Sequence, residues 1–169
     1  SFTTLCINDT IPYLMDFTTW PPICWDLTGG SETFAPYAGG IAEANFWSVT
    51  AGGDYIMTSQ PIHLNDVARI KFDWSHLYNT TYPGDSLRVE VKIDTATSWT
   101  KIWGKGGSKL DSRDGAASTA PGTFVTEVYY LDSATYINKN ILVRFVAISG
   151  FGPDLFIDNV IVEKNPSCP

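Results

Sequence analysis

Two aspartates near opposite ends of the chain are the first candidates for chemistry. Asp16 lies in the segment 13–17, and Asp158 lies within the apolar segment 155–162. A carboxylate buried in an apolar strand needs a partner, because an unpaired buried charge is costly. If the first and last strands meet, one carboxylate from each converges on a metal ion. The alternative is that Asp158 is held by a backbone turn or by an arginine.

Catalytic motifs are missing from the sequence. His63 and His76 are the two histidines, and neither lies in a nucleophile motif, a metallohydrolase motif or a phosphate-binding loop. A glycosidase-type pair of carboxylates needs no motif, but the acidic residues here have structural explanations. Asp85, for example, follows Pro83-Gly84 and is expected to bond its own backbone in a turn. We therefore expect that this protein is not an enzyme.

Composition limits the possible partners. The 169 residues suffice for one domain with a sizeable core. The formal net charge of -7 gives no basis for nucleic-acid binding, which needs a basic face. No apolar run approaches the roughly 20 residues that cross a membrane, so no membrane insertion is expected. These properties suit an extracellular domain, and we expect a monomer.

The three cysteines, Cys6, Cys24 and Cys168, cannot all pair within the chain. They show no spacing typical of a zinc or redox site. A Cys6–Cys168 disulfide would close the domain if the terminal strands are neighbours, which the sequence alone does not establish. Cys24 then remains as a small buried thiol.

Alternation of apolar and polar residues predicts strands through most of the chain. The predicted strands are 55–58, 60–64, 68–74, 87–93, 99–103, 124–131, 141–148 and 156–162. No segment has a helical period, and 104–122 is predicted as a long loop of small residues. The predicted organisation is a lead-in linker at 1–12, a binding module at 13–164 and an exit linker at 165–169.

Aromatic residues suggest a carbohydrate ligand, because sugar rings stack on flat aromatic faces. The preferred ligand loop is 77–83, where Tyr78, Asn79 and Tyr82 combine aromatic and hydrogen-bonding groups. Trp103 is a further candidate, whereas the parity of Trp74 places it in the core. The alternative for the loop is ordinary turn packing.

Basic residues on three predicted strands form a second candidate surface. They share the outward parity of their strands and are Arg69, Lys71, Arg88, Lys92 and Arg144. If these strands are neighbours in one sheet, the residues form a cationic stripe for an anionic glycan or an acidic protein. The favoured alternative is a set of cross-strand ion pairs with Asp73 and Glu90.

An ordered series of short motifs resembles the cleaved-adhesin family, the jelly-roll modules of gingipain-type haemagglutinins. Related domains occur in secreted Bacteroidetes proteins, and their fold is akin to that of the MAM domain. Thr18 stands where the family usually has an acidic residue. The matching segments are 16–17 with 21–25, 54–62, 70–74, 83–87, 98–99, 143–145 and 156–160.

The resemblance implies an all-β jelly-roll β-sandwich of two antiparallel sheets. It also implies a structural calcium ion held by Asp16 and Asp158 with Asp54 as third ligand, and burial of Trp25 and Trp99. Calcium takes carboxylate and carbonyl oxygens, which agrees with these residue types.

The function implied is that of a non-catalytic recognition module, secreted or at the cell surface. Its expected ligand is a polysaccharide or glycoprotein, and its other partners are neighbouring domains of a longer chain. For the ligand contacts we expect Tyr78, Asn79, Tyr82, Trp103, Arg88 and Arg144. The alternative is a structural spacer or protein-adhesion domain that accompanies a secreted protease or hydrolase.

Overall fold

Twelve strands form two sheets in the computed structural model, which describes residues 6, 9–112 and 118–166. In the first sheet the strand order is β1–β6–β11–β8–β9, and β5 also pairs with β11. These strands are β1 (Asp9–Thr10), β5 (Asp54–Thr58), β6 (Ile62–His63), β8 (Ser86–Ile93), β9 (Thr100–Gly106) and β11 (Asn140–Ile148).

The second sheet has the order β10–β7–β12–β4–β3, and β2 also pairs with β12. Its strands are β2 (Tyr13–Met15), β3 (Ala35–Tyr37), β4 (Ile41–Ala44), β7 (Ala68–Ser75), β10 (Val125–Tyr130) and β12 (Leu155–Lys164). The pairings are antiparallel except that of β1 with β6, which is parallel. The predicted jelly-roll β-sandwich is confirmed, with this one departure from purely antiparallel sheets.

Helical structure in the described residues is limited to short turns. The α-helix α1 (Ser133–Tyr136) has four residues, and two 3₁₀ turns cover Phe46–Ser48 and Gly107–Lys109. No helix among them has the length and apolar character needed to cross a membrane.

Apolar and polar residues alternate along the long strands, so the apolar face of each sheet packs against the apolar face of the other sheet. Phe72 of β7 and Phe145 of β11 are fully buried, and their ring centroids lie 5.3 Å apart. This edge-to-face contact joins the two sheets through the centre of the core. Trp74 and Trp25 are buried at 1% and 8% exposure, as predicted.

The first and last strands of the module meet, as the positions of the two aspartates predicted. β2 runs antiparallel to β12, with Met15 opposite Val160. The register of β12 against β7 shifts between Asp158 and Ile161, and Asn159 has a positive φ of 48°. This β-bulge lies where β12 changes its partner from β4 to β2.

The Cys6–Cys168 disulfide, which the sequence left open, does not form, because Cys6 pairs with Cys24. The Cα atoms of the two residues lie 5.5 Å apart, within the range that a disulfide spans. β1 belongs to the first sheet and β12 to the second sheet, so these two strands are not neighbours. Cys24 is therefore not a buried thiol, and Cys168 lies outside the described residues.

The predicted boundaries differ from the structure at three places. β1 and the disulfide attach part of the predicted lead-in linker to the module. β3 and β4 were not predicted, because Pro36 and small residues conceal their alternation. β9 extends to Gly106, so the predicted loop begins as a strand, although part of that loop (113–117) lies outside the described residues.

Candidate functional site

Three exposed or half-buried aromatic rings lie together at one end of the sandwich. Trp47 is 41% exposed, Phe151 is 38% exposed, and Tyr82 is half-buried. The Trp47 and Phe151 rings are nearly parallel, at 7°, with centroids 6.4 Å apart. Tyr82 stands edge-on to both, with its centroid 5.2 Å from that of Phe151 and 6.4 Å from that of Trp47. We call Trp47, Tyr82 and Phe151 the aromatic cluster.

Local structure turns two of these rings outward. Trp47 lies in the 3₁₀ turn Phe46–Ser48, in which Phe46 is fully buried and fixes the turn to the core. Phe151 has a φ of 69°, a conformation that bulky residues rarely adopt. Such conformations persist where the surrounding structure enforces them, and they concentrate at functional sites.

Asp85 enforces the conformation of the turn around Phe151. Its Oδ1 accepts hydrogen bonds from the backbone N–H groups of Gly150 (2.7 Å) and Gly152 (3.3 Å). A Cβ atom on Gly152 would lie 1.8 Å from Asp85 Oδ2, so the turn and the carboxylate fit without spare room. The predicted local turn role of Asp85 is wrong, since its carboxylate is buried and bonds residues more than 60 positions away.

His76 completes this buried anchor. Its Nε2 lies 3.0 Å from Asp85 Oδ2, and its Nδ1 lies 2.7 Å from the carbonyl oxygen of Leu110. His76 and Asp85 are 1% and 2% exposed, respectively. A substrate has no access to this pair, so its role is to hold the turn.

A second buried carboxylate holds Trp47. Asp154 is 1% exposed, and its Oδ1 accepts a hydrogen bond of 2.8 Å from the backbone N–H of Trp47. Burial raises the pKa of Asp154 despite that bond. Burial, together with the charge of Asp154 and a hydrogen bond to it, raises the pKa of Glu43 to about 7. Glu43 therefore gains or loses its proton around neutral pH.

Glu43→Gln is expected to reduce the dependence of stability on pH. Glu43 binds its proton more tightly when folded than at its ordinary pKa of 4.5. Its contribution to stability is thus fully present below about pH 4.5 and is lost as the pH rises through about 7. Melting temperatures between pH 4 and 8, in roughly one-unit steps, measure the slope. Equal slopes in the variant and the original protein would contradict the assignment.

The predicted ligand loop contributes one ring to the cluster. Tyr82 belongs to it, whereas the Oδ1 of Asn79 accepts a hydrogen bond from the Thr81 N–H in the turn. Tyr78 is half-buried, and its backbone N–H bonds the carboxylate of Asp111. Within the part of the chain that the structure describes, Tyr82 is thus the loop residue whose ring packs against Trp47 and Phe151.

Trp103, the third aromatic residue among the predicted ligand contacts, packs between the sheets. Its ring centroid lies 5.1 Å from that of Phe72, and the ring also contacts Trp74. Lys105 Nζ lies 5.5 Å from the centroid of the Trp103 ring. Trp103 therefore lies against the core rather than in the aromatic cluster.

The predicted cationic stripe does not form, because its members lie on different sheets. Arg69 bonds Glu163 in the second sheet, at 2.7 Å. Arg88 and Arg144 lie in the first sheet, and both bond Glu90, at 2.8 and 2.5 Å. The ion-pair alternative is confirmed for Glu90. For Asp73 it is wrong, because that residue accepts hydrogen bonds from Thr126 and Asn159.

Trp99 lies on this charged face rather than in the core. The guanidinium carbon of Arg144 is 4.2 Å from the Trp99 ring centroid, and Lys92 Nζ is 5.3 Å from it. These cation–π contacts cover the half-buried ring. The expected burial of Trp99 is thus only partly met.

The negative charge of Asp16 acts on Asp158, whereas Asp54 lies in the other sheet. Burial raises the pKa of Asp158, and the negative charges of Asp73 and Asp16 raise it as well. Asp54 begins β5 in the other sheet, where its Oδ1 accepts a hydrogen bond from the Ser31 N–H. Among the described residues, no group of three or more Asp, Glu, His or Cys side chains is arranged to hold a metal ion.

The fold defines the class of the protein as a jelly-roll β-sandwich, and solved structures share it. The K2 cleaved adhesin domain of Lys-gingipain aligns at a TM-score of 0.60 and 11% identity, over 92% of this chain and 99% of that one. The K3 domain from Porphyromonas gingivalis W83 aligns at 0.59 and 14%, over 89% and 96%. The resemblance to cleaved adhesin domains is therefore confirmed for the fold.

Carbohydrate-binding modules are also among the similar structures. A variant of the family 29 module CBM29-2, complexed with mannohexaose, aligns at a TM-score of 0.54 and 14% identity, over 89% of each chain. No protein-family model and no curated protein matches the sequence. At these identities the likeness describes the architecture, and the function has to be argued from the site.

Proposed function

We propose that this protein is a non-catalytic recognition module that binds carbohydrate through the aromatic cluster. The observation that carries the proposal is the exposure of Trp47 and Phe151 as nearly parallel rings on a rigidly anchored end of the sandwich. Soluble proteins rarely leave clustered large apolar side chains exposed without a binding role. Flat rings match the apolar faces of sugars, and Tyr82 adds a hydroxyl group beside them.

The anchoring supports recognition rather than catalysis. Asp85, His76 and Asp154 are the buried titratable groups next to the cluster, and all three bond backbone or each other. Because these bonds hold the rings in place before the ligand binds, the entropy cost of binding is lower. The solved adhesin and carbohydrate-binding domains of the same fold agree with this function.

A location outside the cell agrees with the covalent structure. The Cys6–Cys24 disulfide is of a kind that persists in oxidising compartments. We therefore extend the proposal to a secreted or cell-surface module, whose further partners are neighbouring domains of a longer chain.

A polysaccharide and glycan array tests the proposed function. The folded protein should bind selectively to one class of glycan, and reduced binding by Trp47→Ala would assign the binding to the cluster. Silence of a demonstrably folded protein across the array would contradict carbohydrate recognition. It would favour protein adhesion instead, for which the same exposed rings are suited.

We further propose a structural calcium ion between Asp16 and Asp158. Burial and the charges of Asp73 and Asp16 raise the pKa of Asp158, so a bound cation would relieve like-charge repulsion there. No ion pair among the described residues supplies a cation to either aspartate. Calcium would join the strands β2 and β12, with its other ligands from backbone oxygens and water.

Asp158→Asn is expected to abolish a calcium-dependent rise in melting temperature. Calcium at about 100 times its Kd stabilises the folded state by roughly 2.7 kcal/mol. In EDTA the variant should be at least as stable as the original protein, because like-charge repulsion is relieved. Asp54→Asn is the matched control and should keep the calcium response, because Asp54 lies in the other sheet. Equal melting temperatures of the original protein in EDTA and in calcium would refute the proposal.

A further inference from the structure

A basic groove lies beside the aromatic cluster. It has a volume of about 270 Å³ and is lined by residues of β8, of β9 and of the turn after β9. Four of the 11 basic residues of the chain line it, and no acidic residue does so among the described residues. We call it the cationic groove, and its basic residues are Arg88, Lys101, Lys105 and Lys109.

Two of the four basic residues have no carboxylate partner among the described residues. Arg88 bonds Glu90 at 2.8 Å. Lys105 lies opposite the buried Leu87, so its ammonium group is on the inner face of the sheet, where it bonds Glu127 at 2.5 Å and lies over the Trp103 ring. Lys101 and Lys109 are exposed and form no ion pair with the described residues. The groove is therefore locally positive on a chain whose net charge is -7.

A glycine in the lining, Gly104, gives the groove its room. Gly104 lies opposite Arg88 in the β8–β9 ladder, on the outward face of the sheet. A Cβ atom at Gly104 would lie 2.6 Å from Cε and 2.9 Å from Nζ of Lys101. The ammonium group of Lys101 therefore lies over the glycine, at the groove.

The groove and the aromatic cluster share an anchor. The backbone carbonyl of Asp85 accepts a hydrogen bond of 3.0 Å from the N–H of Gly107, at the end of β9. The Asp85 carboxylate holds the Phe151 turn on its other side. Tyr82 of the cluster and Ser86 of the groove are four residues apart, so their Cα atoms lie within about 14 Å. A short oligosaccharide spans that distance.

We infer that the cationic groove binds the anionic groups of an acidic polysaccharide whose sugar rings contact the aromatic cluster. This inference rests on the proposed carbohydrate binding and narrows it to glycans that carry carboxylate or sulfate groups. Ammonium groups without carboxylate partners form charge-assisted hydrogen bonds with either anion. The negative charge of the rest of the chain opposes non-specific adsorption of polyanions.

Isothermal titration of the whole chain with three polysaccharides tests the inference: a polyuronate, a sulfated glycan and a neutral glucomannan. An acidic glycan should bind, and its affinity should fall with added salt. The double variant Lys101→Gln/Lys109→Gln should bind it at least about tenfold more weakly, because two charged contacts are lost. The control is the double variant Lys139→Gln/Lys164→Gln, which has the same net charge as the first double variant. It should bind the glycan as tightly as the original protein does.

The outcomes separate the inference from the proposed function. Preference for the polyuronate or for the sulfated glycan identifies the anion. Binding of the glucomannan alone, or an equal effect of both double variants, would overturn the cationic groove as the site and leave carbohydrate recognition intact. Absence of binding to all three polysaccharides would overturn both.

Discussion

Replacing Trp47 and Phe151 by alanine together is expected to abolish glycan binding while the domain stays folded. The two rings are the most exposed members of the aromatic cluster, at 41% and 38%. Removing a central aromatic contact typically costs about 2 kcal/mol or more, so each single variant should weaken binding roughly 30-fold. Titration calorimetry with the glycan identified on the array measures the change.

An exposed aromatic residue elsewhere provides the control. Tyr130 is 52% exposed on β10, at the edge of the second sheet. Tyr130→Ala should bind the glycan with unchanged affinity. The assignment of the site fails if Tyr130→Ala weakens binding as much as Trp47→Ala does, or if the double variant binds normally.

Asp85→Ala is expected to cause the largest loss of stability of any single substitution next to the site. The change leaves the Nε2 atom of His76 without its partner, and the N–H groups of Gly150 and Gly152 without an acceptor. Breaking such a buried pair typically costs about 3–5 kcal/mol. Urea denaturation at neutral pH measures this as a lower midpoint with an unchanged slope.

Asp85→Asn keeps the size of the side chain and one carbonyl acceptor, so it should lose less stability than Asp85→Ala. This variant keeps the prediction testable if the alanine variant does not fold. Asp66→Ala removes a surface carboxylate that pairs with Lys164 and should change the midpoint much less. A midpoint for Asp85→Ala equal to that of the original protein would show that Asp85 is not the anchor.

The fold was predictable because apolar and polar residues alternate along its long strands. The alternation in β7 and β8 identifies the buried face of each sheet, and the structure places those residues in the core. Assignment of strands to sheets was not predictable, because alternation carries no information on which strands pair. The stripe that joined Arg69 to Arg88 failed for this reason, since β7 and β8 lie in different sheets.

The candidate site was only partly predictable, because it is built from turns. Tyr82 was predicted from its loop composition, whereas Trp47 and Phe151 were missed because neither belongs to an alternating segment. Phe151 does have a usable signal, since a large apolar residue between Gly150 and Gly152 sits in a turn rather than a strand. The contact of His76 with Asp85 had no sequence signal, because it depends on a loop conformation.

The most direct test of carbohydrate recognition at the aromatic cluster is a nuclear magnetic resonance titration that follows the indole N–H signals of the six tryptophans. Addition of the array-identified glycan should shift the Trp47 signal saturably and leave the buried Trp25 and Trp74 signals in place. Saturable shifts at Trp99 on the charged face, with Trp47 unchanged, would contradict the account.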